Sequence, residues 1–218
     1  MKSREQIAAA YDSPTWWYDV RGFFILTVAY RSTLFEQLRL FGNNIGTRHL
    51  EIAIGSGTLF ELVARWRRWR RLPAAQVVGV DYAEPMLAGA RRRFAGDPRI
   101  ELRHADAGAL PFEDATFDSV NIANAVHCFP DVDAALREAR RVLKPGGRLA
   151  ANVLLFPRGI APLRAAADRL NAWGMRKGIL VTPYDRDDIR SRLEAAGLAI
   201  EQEHTSGNTY NVVARRPA

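Results

Sequence analysis

The 218-residue chain holds a single cysteine, Cys128, which excludes an internal disulfide and a cysteine-rich zinc site. Histidine is scarce too. His49, His104, His127 and His204 are scattered without metal-ligand spacing, so no metal is expected. No apolar run reaches the roughly 18 residues that a membrane-spanning helix needs. The opening Met1-Lys2-Ser3-Arg4-Glu5 leads into no apolar signal segment, so a cytoplasmic location is expected. Internal repeats and low-complexity linkers are absent, and the length suits one domain with a sizeable core. Lysine is nearly missing: 28 of the 31 basic residues are arginine, and the net charge is +7. That surplus reads either as attraction to an anionic partner or as a preference for arginine over a solvated surface.

The richest segment is His49-Leu50-Glu51-Ile52-Ala53-Ile54-Gly55-Ser56-Gly57-Thr58, followed by Val77-Val78-Gly79-Val80-Asp81. It reads as a buried strand, a glycine turn, a helix, and a second strand ending in a carboxylate. Gly55 and Gly57 let the backbone approach a ligand where a Cβ would block it. Asp81, 24 positions after Gly57, is placed to accept from two ribose hydroxyls. A nicotinamide fingerprint needs a third glycine where this chain has Phe60. A carboxylate at Glu51 is also foreign to that fingerprint, and suits a cofactor with a free amino-acid end such as S-adenosylmethionine.

The order Glu51-x-Ala53-x-Gly55-Ser56-Gly57, Asp81, Asp106, then Leu143-Lys144-Pro145-Gly146-Gly147 resembles the class I S-adenosylmethionine-dependent methyltransferases. The similarity is strongest to their ubiquinone/menaquinone-biosynthesis C-methyltransferase branch and spans roughly residues 45–155. Ala53 departs from the glycine common in the family, and its small side chain is expected to let the loop close. The resemblance implies S-adenosyl-L-methionine as cofactor and S-adenosyl-L-homocysteine as product. Glu51 would then take the methionine ammonium, and Gly55 and Gly57 would pass under the methionine portion. Asp81 would hold the ribose. Tyr82 and Met86 would line the adenine, although Met86 also suits core filling. Asp106 and the Ala107 amide would read adenine, with a loop-capping role as the other reading of Asp106. The backbone near Ala123 and Asn124 would meet the methionine end.

Along the chain, helices are expected over 2–10 and 22–40, with an aromatic bend at 13–18. Strands follow at 48–54, 77–81, 99–104, 117–123 and 147–155. Helices fall at 58–70, 84–95 and 132–143, with further helical segments near 160–176 and 185–196. Strands at 198–204 and 209–215 close the chain as a hairpin around Ser206-Gly207-Asn208. Strands alternating with helices imply a parallel sheet. The expected fold is thus an α/β, Rossmann-like, doubly wound, seven-stranded sheet, mostly parallel with a carboxyl-terminal antiparallel hairpin. Residues 1–44 are expected to form a helical cap and 45–218 the core. Lys144-Pro145-Gly146-Gly147 is expected as a tight turn without chemistry.

Methyl transfer from a sulfonium needs alignment of a nucleophile and exclusion of water more than it needs acid or base. Where a proton must leave, His127, at the end of the fourth strand, is the candidate base; its other reading is packing. Tyr11, Trp16, Trp17 and Tyr18 are expected to fold over the cofactor as a lid, with Tyr18 touching it. Segment 157–183, including Trp173, would form the opposite wall. Such an apolar, aromatic surround favours a small hydrophobic or aromatic acceptor, and nucleic acid is not expected as a partner. Arg65-Trp66-Arg67-Arg68-Trp69-Arg70-Arg71 interleaves cations with indoles, as peripheral membrane patches do; alternatively it closes a helix, with cations on the dipole and a tryptophan turned inward. Alternative functions are a phospholipid N-methyltransferase at a membrane surface, a nucleic-acid-associated methyltransferase, and a non-catalytic cofactor-binding regulator.

Overall fold

A computed structural model describes residues 33–177 and 180–218. The chain runs as α1 (Leu34–Asn44), β1 (Arg48–Ile52), α2 (Thr58–Trp69), β2 (Gln76–Asp81), α3 (Glu84–Arg93), β3 (Ile100–His104) and β4 (Phe117–Ile122). There follow a short 3-10 turn (Val126–Cys128), α4 (Val132–Val142), β5 (Leu143–Leu154), α5 (Ala161–Lys177), α6 (Arg186–Ala195), β6 (Ala199–Ser206) and β7 (Thr209–Arg215). The strands form one seven-stranded sheet in the order β3-β2-β1-β4-β5-β7-β6. β1 to β5 are parallel, while β7 runs antiparallel to both β5 and β6. The strand order reverses between β1 and β4, where open α/β sheets place ligands beyond the strand ends.

Both faces of the sheet are covered. Leu50, Ile52, Val80, Val120 and Ile122 join α4, α6 and Tyr210 in the larger core cluster. Phe41, Ile45, Phe60, Val63 and Val77 form a second cluster around α1 and α2. The α4 helix shows why its sequence folds as it does. Asp131 caps its first turn by accepting from the Ala134 N–H at 2.9 Å. Val132, Ala135, Leu136, Ala139 and Val142 then recur on one buried stripe.

Two boundaries differ from the sequence expectation. Of the helix expected over 22–40, the described part is α1, which runs on to Asn44 and is capped by the extended Thr33: Thr33 Oγ1 accepts from the Glu36 N–H, and Glu36 accepts from the Thr33 N–H. Residues 1–32, with the expected helix 2–10 and bend 13–18, lie outside the described residues. The described α1 packs on α2, β4 and β5 and contributes Phe41 to the core. The Lys144-Pro145-Gly146-Gly147 segment lies within the bounds of β5 rather than before it, as an excursion without a strand partner: β4 pairs with Leu143 and next with Arg148, and pairing with β7 starts at Arg148. Gly146 there has φ +78°, and the β4–β5 register shifts between Phe117 and Ser119.

Leu136 is fully buried and Phe35 is 64% exposed. Leu136→Ala is expected to lower unfolding free energy by about 2–5 kcal/mol, whereas Phe35→Ala stays within about 0.5 kcal/mol of the parent. Urea denaturation followed by circular dichroism measures both; similar losses would mean the α4 stripe is not the core contact described.

Candidate active site

The glycine turn is fixed by its neighbours. Gly57 is the N-cap of α2 with φ +78°, and a Cβ there would collide with the Phe94 ring. Gly55 has φ +61° and lies under Met86, whose Cε would sit 3.5 Å from an added Cβ. Arg93 clamps the turn from α3, donating to the Ser56 carbonyl at 3.0 Å and to Thr58 Oγ1 at 2.9 Å. Phe60, which occupies the third-glycine position, is buried edge-on against Phe94 with centroids 5.7 Å apart. It joins α2 to α3, so the side chain that breaks the dinucleotide pattern has a packing task here. Ala53 is also left-handed, at φ +58°. An alanine in that region costs roughly 1–2 kcal/mol, which is the physical reason a glycine suits the position.

Asp81 closes the turn from β2. Its Oδ2 accepts from the Gly55 N–H at 2.7 Å and its Oδ1 from the Ala83 N–H at 2.8 Å. Burial pushes its carboxyl above the ordinary carboxylate range, opposed by the amides of Ala83, Gly55 and Tyr82 and by nearby His104. A carboxylate offers about four acceptor sites, so Asp81 retains capacity beyond these amides. Tyr82 is exposed, with its ring tilted against His104 at 5.3 Å, and His104 Nε2 donates to the Tyr82 carbonyl at 2.9 Å. Asp106 lies half-buried in a turn, with Oδ1 accepting from the Gly108 N–H at 2.9 Å and its carbonyl from the Ala109 N–H at 3.0 Å. Ala107 follows it, half-buried.

Glu51 is 4% exposed and sits in a directed chain of hydrogen bonds that sequence reasoning missed. Its Oε1 accepts from His49 Nε2 at 3.0 Å and from Asn121 Nδ2 at 2.8 Å. Because a carboxylate only accepts, His49 donates from Nε2, and in a neutral ring Nδ1 accepts from Ser119 Oγ at 2.7 Å. Ser119 Oγ in turn accepts from the Gly46 N–H at 2.8 Å. The strand registers explain the chain: His49 pairs with Ser119, and Glu51 with Asn121. A signal existed in the alternation His49-x-Glu51 and Ser119-x-Asn121, which puts each pair on one strand face. Glu51, Ala53, Leu59, Phe41, Ala123 and Asn124 line a small cleft of about 80 Å³.

Asn124 stands at the switch point with φ +55°, a conformation that asparagine tolerates. Its amide donates to Gln37 Oε1 at 3.0 Å, its carbonyl oxygen accepts from Asn152 Nδ2 at 2.6 Å, and its backbone N–H donates to Asn152 Oδ1. This second set of amides joins α1, β5 and the end of β4.

His127, read from the sequence as either a base or a packing residue, lies in the 3-10 turn Val126–Cys128. It is buried in the turn after β4, where Nδ1 accepts from the Leu154 N–H at 3.3 Å. Its carbonyl accepts from the Val181 and Thr182 N–H groups at 3.0 and 3.3 Å. Burial pushes its pKa down to about 3, so the ring does not take a proton near neutral pH. Trp173 lies half-buried on α5. Tyr11, Trp16, Trp17 and Tyr18 lie outside the described residues. Among the described residues no group of three or more His, Cys, Asp or Glu side chains could hold a metal.

Residues 50–151 match the family described as "Methyltransferase domain". The chain carries a methyltransferase domain. A demethylmenaquinone methyltransferase of Clavibacter sepedonicus is 33% identical over 169 residues, covering 71% of this chain and 66% of the relative. One from Thermus thermophilus is 47% identical over 111 residues, covering 50% of this chain and 47% of the relative. The chain thus spans about half to two thirds of the length of these relatives. A solved putative methyltransferase from Bacillus halodurans superposes with a TM-score of 0.66 at 22% identity, covering 85% of this chain and 99% of that one. That likeness agrees with the Rossmann-like sheet around the methyltransferase domain.

Two measurements test these local assignments. Ala53→Gly relieves the left-handed strain, offset in part by glycine's greater freedom in the unfolded chain. It is expected to stabilise by about 0.5–1 kcal/mol; an unchanged or lower melting temperature would remove the strain. Folding depresses the His127 pKa below its ordinary 6.5, so the folded state favours the neutral ring. The resulting stability is fully present above pH 6.5 and is lost as pH falls from there toward about 3. His127→Asn is expected to flatten that part of the stability-versus-pH curve, and an unchanged slope would show that His127 is not the group titrating.

Proposed function

We propose that this protein transfers a methyl group from S-adenosylmethionine to a small hydrophobic or aromatic acceptor of the quinone type. The observation that carries the reading is the placement of two acceptor carboxylates around one glycine turn. Asp81 binds the Gly55 amide from one side. Glu51 lines the cleft beside Ala53, with both of its described hydrogen bonds on Oε1. Oε2 is then the atom suited to an ammonium, and the remaining acceptor capacity of Asp81 suits two ribose hydroxyls. When bound, the cofactor supplies an activated methyl group with a neutral thioether as leaving group. The chain's own residues have three tasks: to hold the cofactor's polar ends, to orient the acceptor, and to keep water from between them. The names of the relatives support the quinone-type acceptor. Tyr82, Met86, Asp106 and Ala107 are assigned to the adenine side, and Trp173 to the acceptor wall. No residue in this reading serves as the base.

Calorimetry with S-adenosylhomocysteine tests the assignment. Asp81→Ala removes two charge-assisted hydrogen bonds of about 1.5–3 kcal/mol each, and is expected to weaken binding well over tenfold. Met86→Ala, which removes only apolar contact, is expected to cost less than about tenfold. Glu51→Gln should also weaken binding. His49→Leu should follow it, because Glu51 loses a donor that fixes it, while His49→Gln retains an N–H where Nε2 stood. Binding of NAD with no binding of S-adenosylhomocysteine would overturn the reading.

A further inference from the structure

The last turn of α2 and the residues after it carry Arg65-Trp66-Arg67-Arg68-Trp69-Arg70-Arg71, and the fold sorts these into two sets. The inward set closes the helix. Arg67 is buried and donates to the carbonyls of Gly42 and Pro73. Trp66 is half-buried against Gly42, where a Cβ would have no room. The outward set is Arg65, Arg68, Trp69, Arg70 and Arg71, all exposed. Trp69 is 75% exposed, more than any other large hydrophobic side chain among the described residues. Two carboxylates face this region. Glu61 is paired with Arg65 and Arg93. Asp97 is paired with Arg99 and also feels Arg68. Arg70 extends over the Trp66 ring, 5.6 Å from its centroid.

Helix closure accounts for Arg67 and Trp66 but leaves an indole in water among three arginines. We propose that Arg68, Trp69, Arg70 and Arg71 form a docking face for an anionic lipid bilayer. An indole is most stable at the boundary between headgroups and acyl chains, where its apolar body is buried and its N–H stays wet. Arginine stems lie along such a ring while their guanidinium groups reach lipid phosphates. Charge and indole thus sit together in one run of four consecutive exposed residues. A single-stranded nucleic acid is the poorer fit, because it needs successive aromatic platforms. Here Trp66 is turned inward and one indole remains. The face lies at the far end of α2 from Gly57. At a rise of about 1.5 Å per residue, the helix separates them by roughly 18 Å. The face is therefore a tether that leaves the glycine turn unobstructed.

Co-sedimentation of the full chain with vesicles tests this. The protein is expected to bind phosphatidylcholine vesicles containing phosphatidylglycerol and not vesicles of phosphatidylcholine alone, with binding lost at high salt. Arg68→Gln and Arg71→Gln should each lower the partition constant about fivefold. Trp69→Ala should lower it further, and brominated lipid should quench the parent more than Trp69→Phe. Affinity for S-adenosylhomocysteine and melting temperature should be unchanged in all variants, which shows that the fold is intact. Absence of binding to the anionic vesicles, binding untouched by these substitutions, or displacement of the vesicles by a single-stranded oligonucleotide would each overturn the proposal.

Discussion

The site depends first on the pairing of β1 with β4. That pairing sets His49 opposite Ser119 and Glu51 opposite Asn121, one face of two neighbouring strands, and thereby satisfies a buried carboxylate. A carboxylate removed from water without partners costs several kcal/mol. Here every link has a defined donor, from the Gly46 amide through Ser119 and His49 to Glu51, with Asn121 donating from the other side. The same reversal of strand order opens the crevice beside Glu51. Folding and ligand placement therefore share one constraint: the chain cannot put a charged oxygen at the end of β1 unless β4 lies next to it.

Around this point the structure replaces flexible contacts with amide-to-amide bonds. Asn44 on α1 donates to the Val120 carbonyl and to Asn121, while Gln37 on the same helix meets Asn124. Asn152 on β5 holds both the side chain and the backbone of Asn124. Helix α1 is thereby locked to the sheet at the switch point, and the left-handed Asn124 is kept in place from two sides. His127 continues this fastening one turn later, linking β4 to Leu154 and to the Val181-Thr182 segment. Its buried, neutral ring is an anchor.

The arginine surplus divides by environment. Arg67, Arg93 and Arg141 reach backbone carbonyls and fix turns. Others, such as Arg99 with Asp97 and Arg192 with Asp188, make exposed pairs that water and salt screen. The arginine-rich end of α2 belongs to both groups, so neither charge count nor spacing alone decides its role.

The sequence by itself determined the order of strands and helices, the glycine turn, and the carboxylates at Glu51 and Asp81, because each is written in local chemistry. Alternating or continuous apolar runs mark strands, and glycines mark left-handed turns. What remained illegible was every feature made by residues distant in sequence. Asn44, His49, Ser119, Asn121 and Asn152 look like polar intrusions in apolar strands and helices until the β1–β4–β5 register aligns them. The burial of His127 and its bond to the Leu154 amide are likewise invisible in the sequence. Trp66 and Trp69 look alike until one packs on Gly42 and the other projects outward. The reason is common to all: a side chain's hydrogen-bond partner and its exposure are set by which surfaces meet, and only the tertiary structure brings those surfaces together.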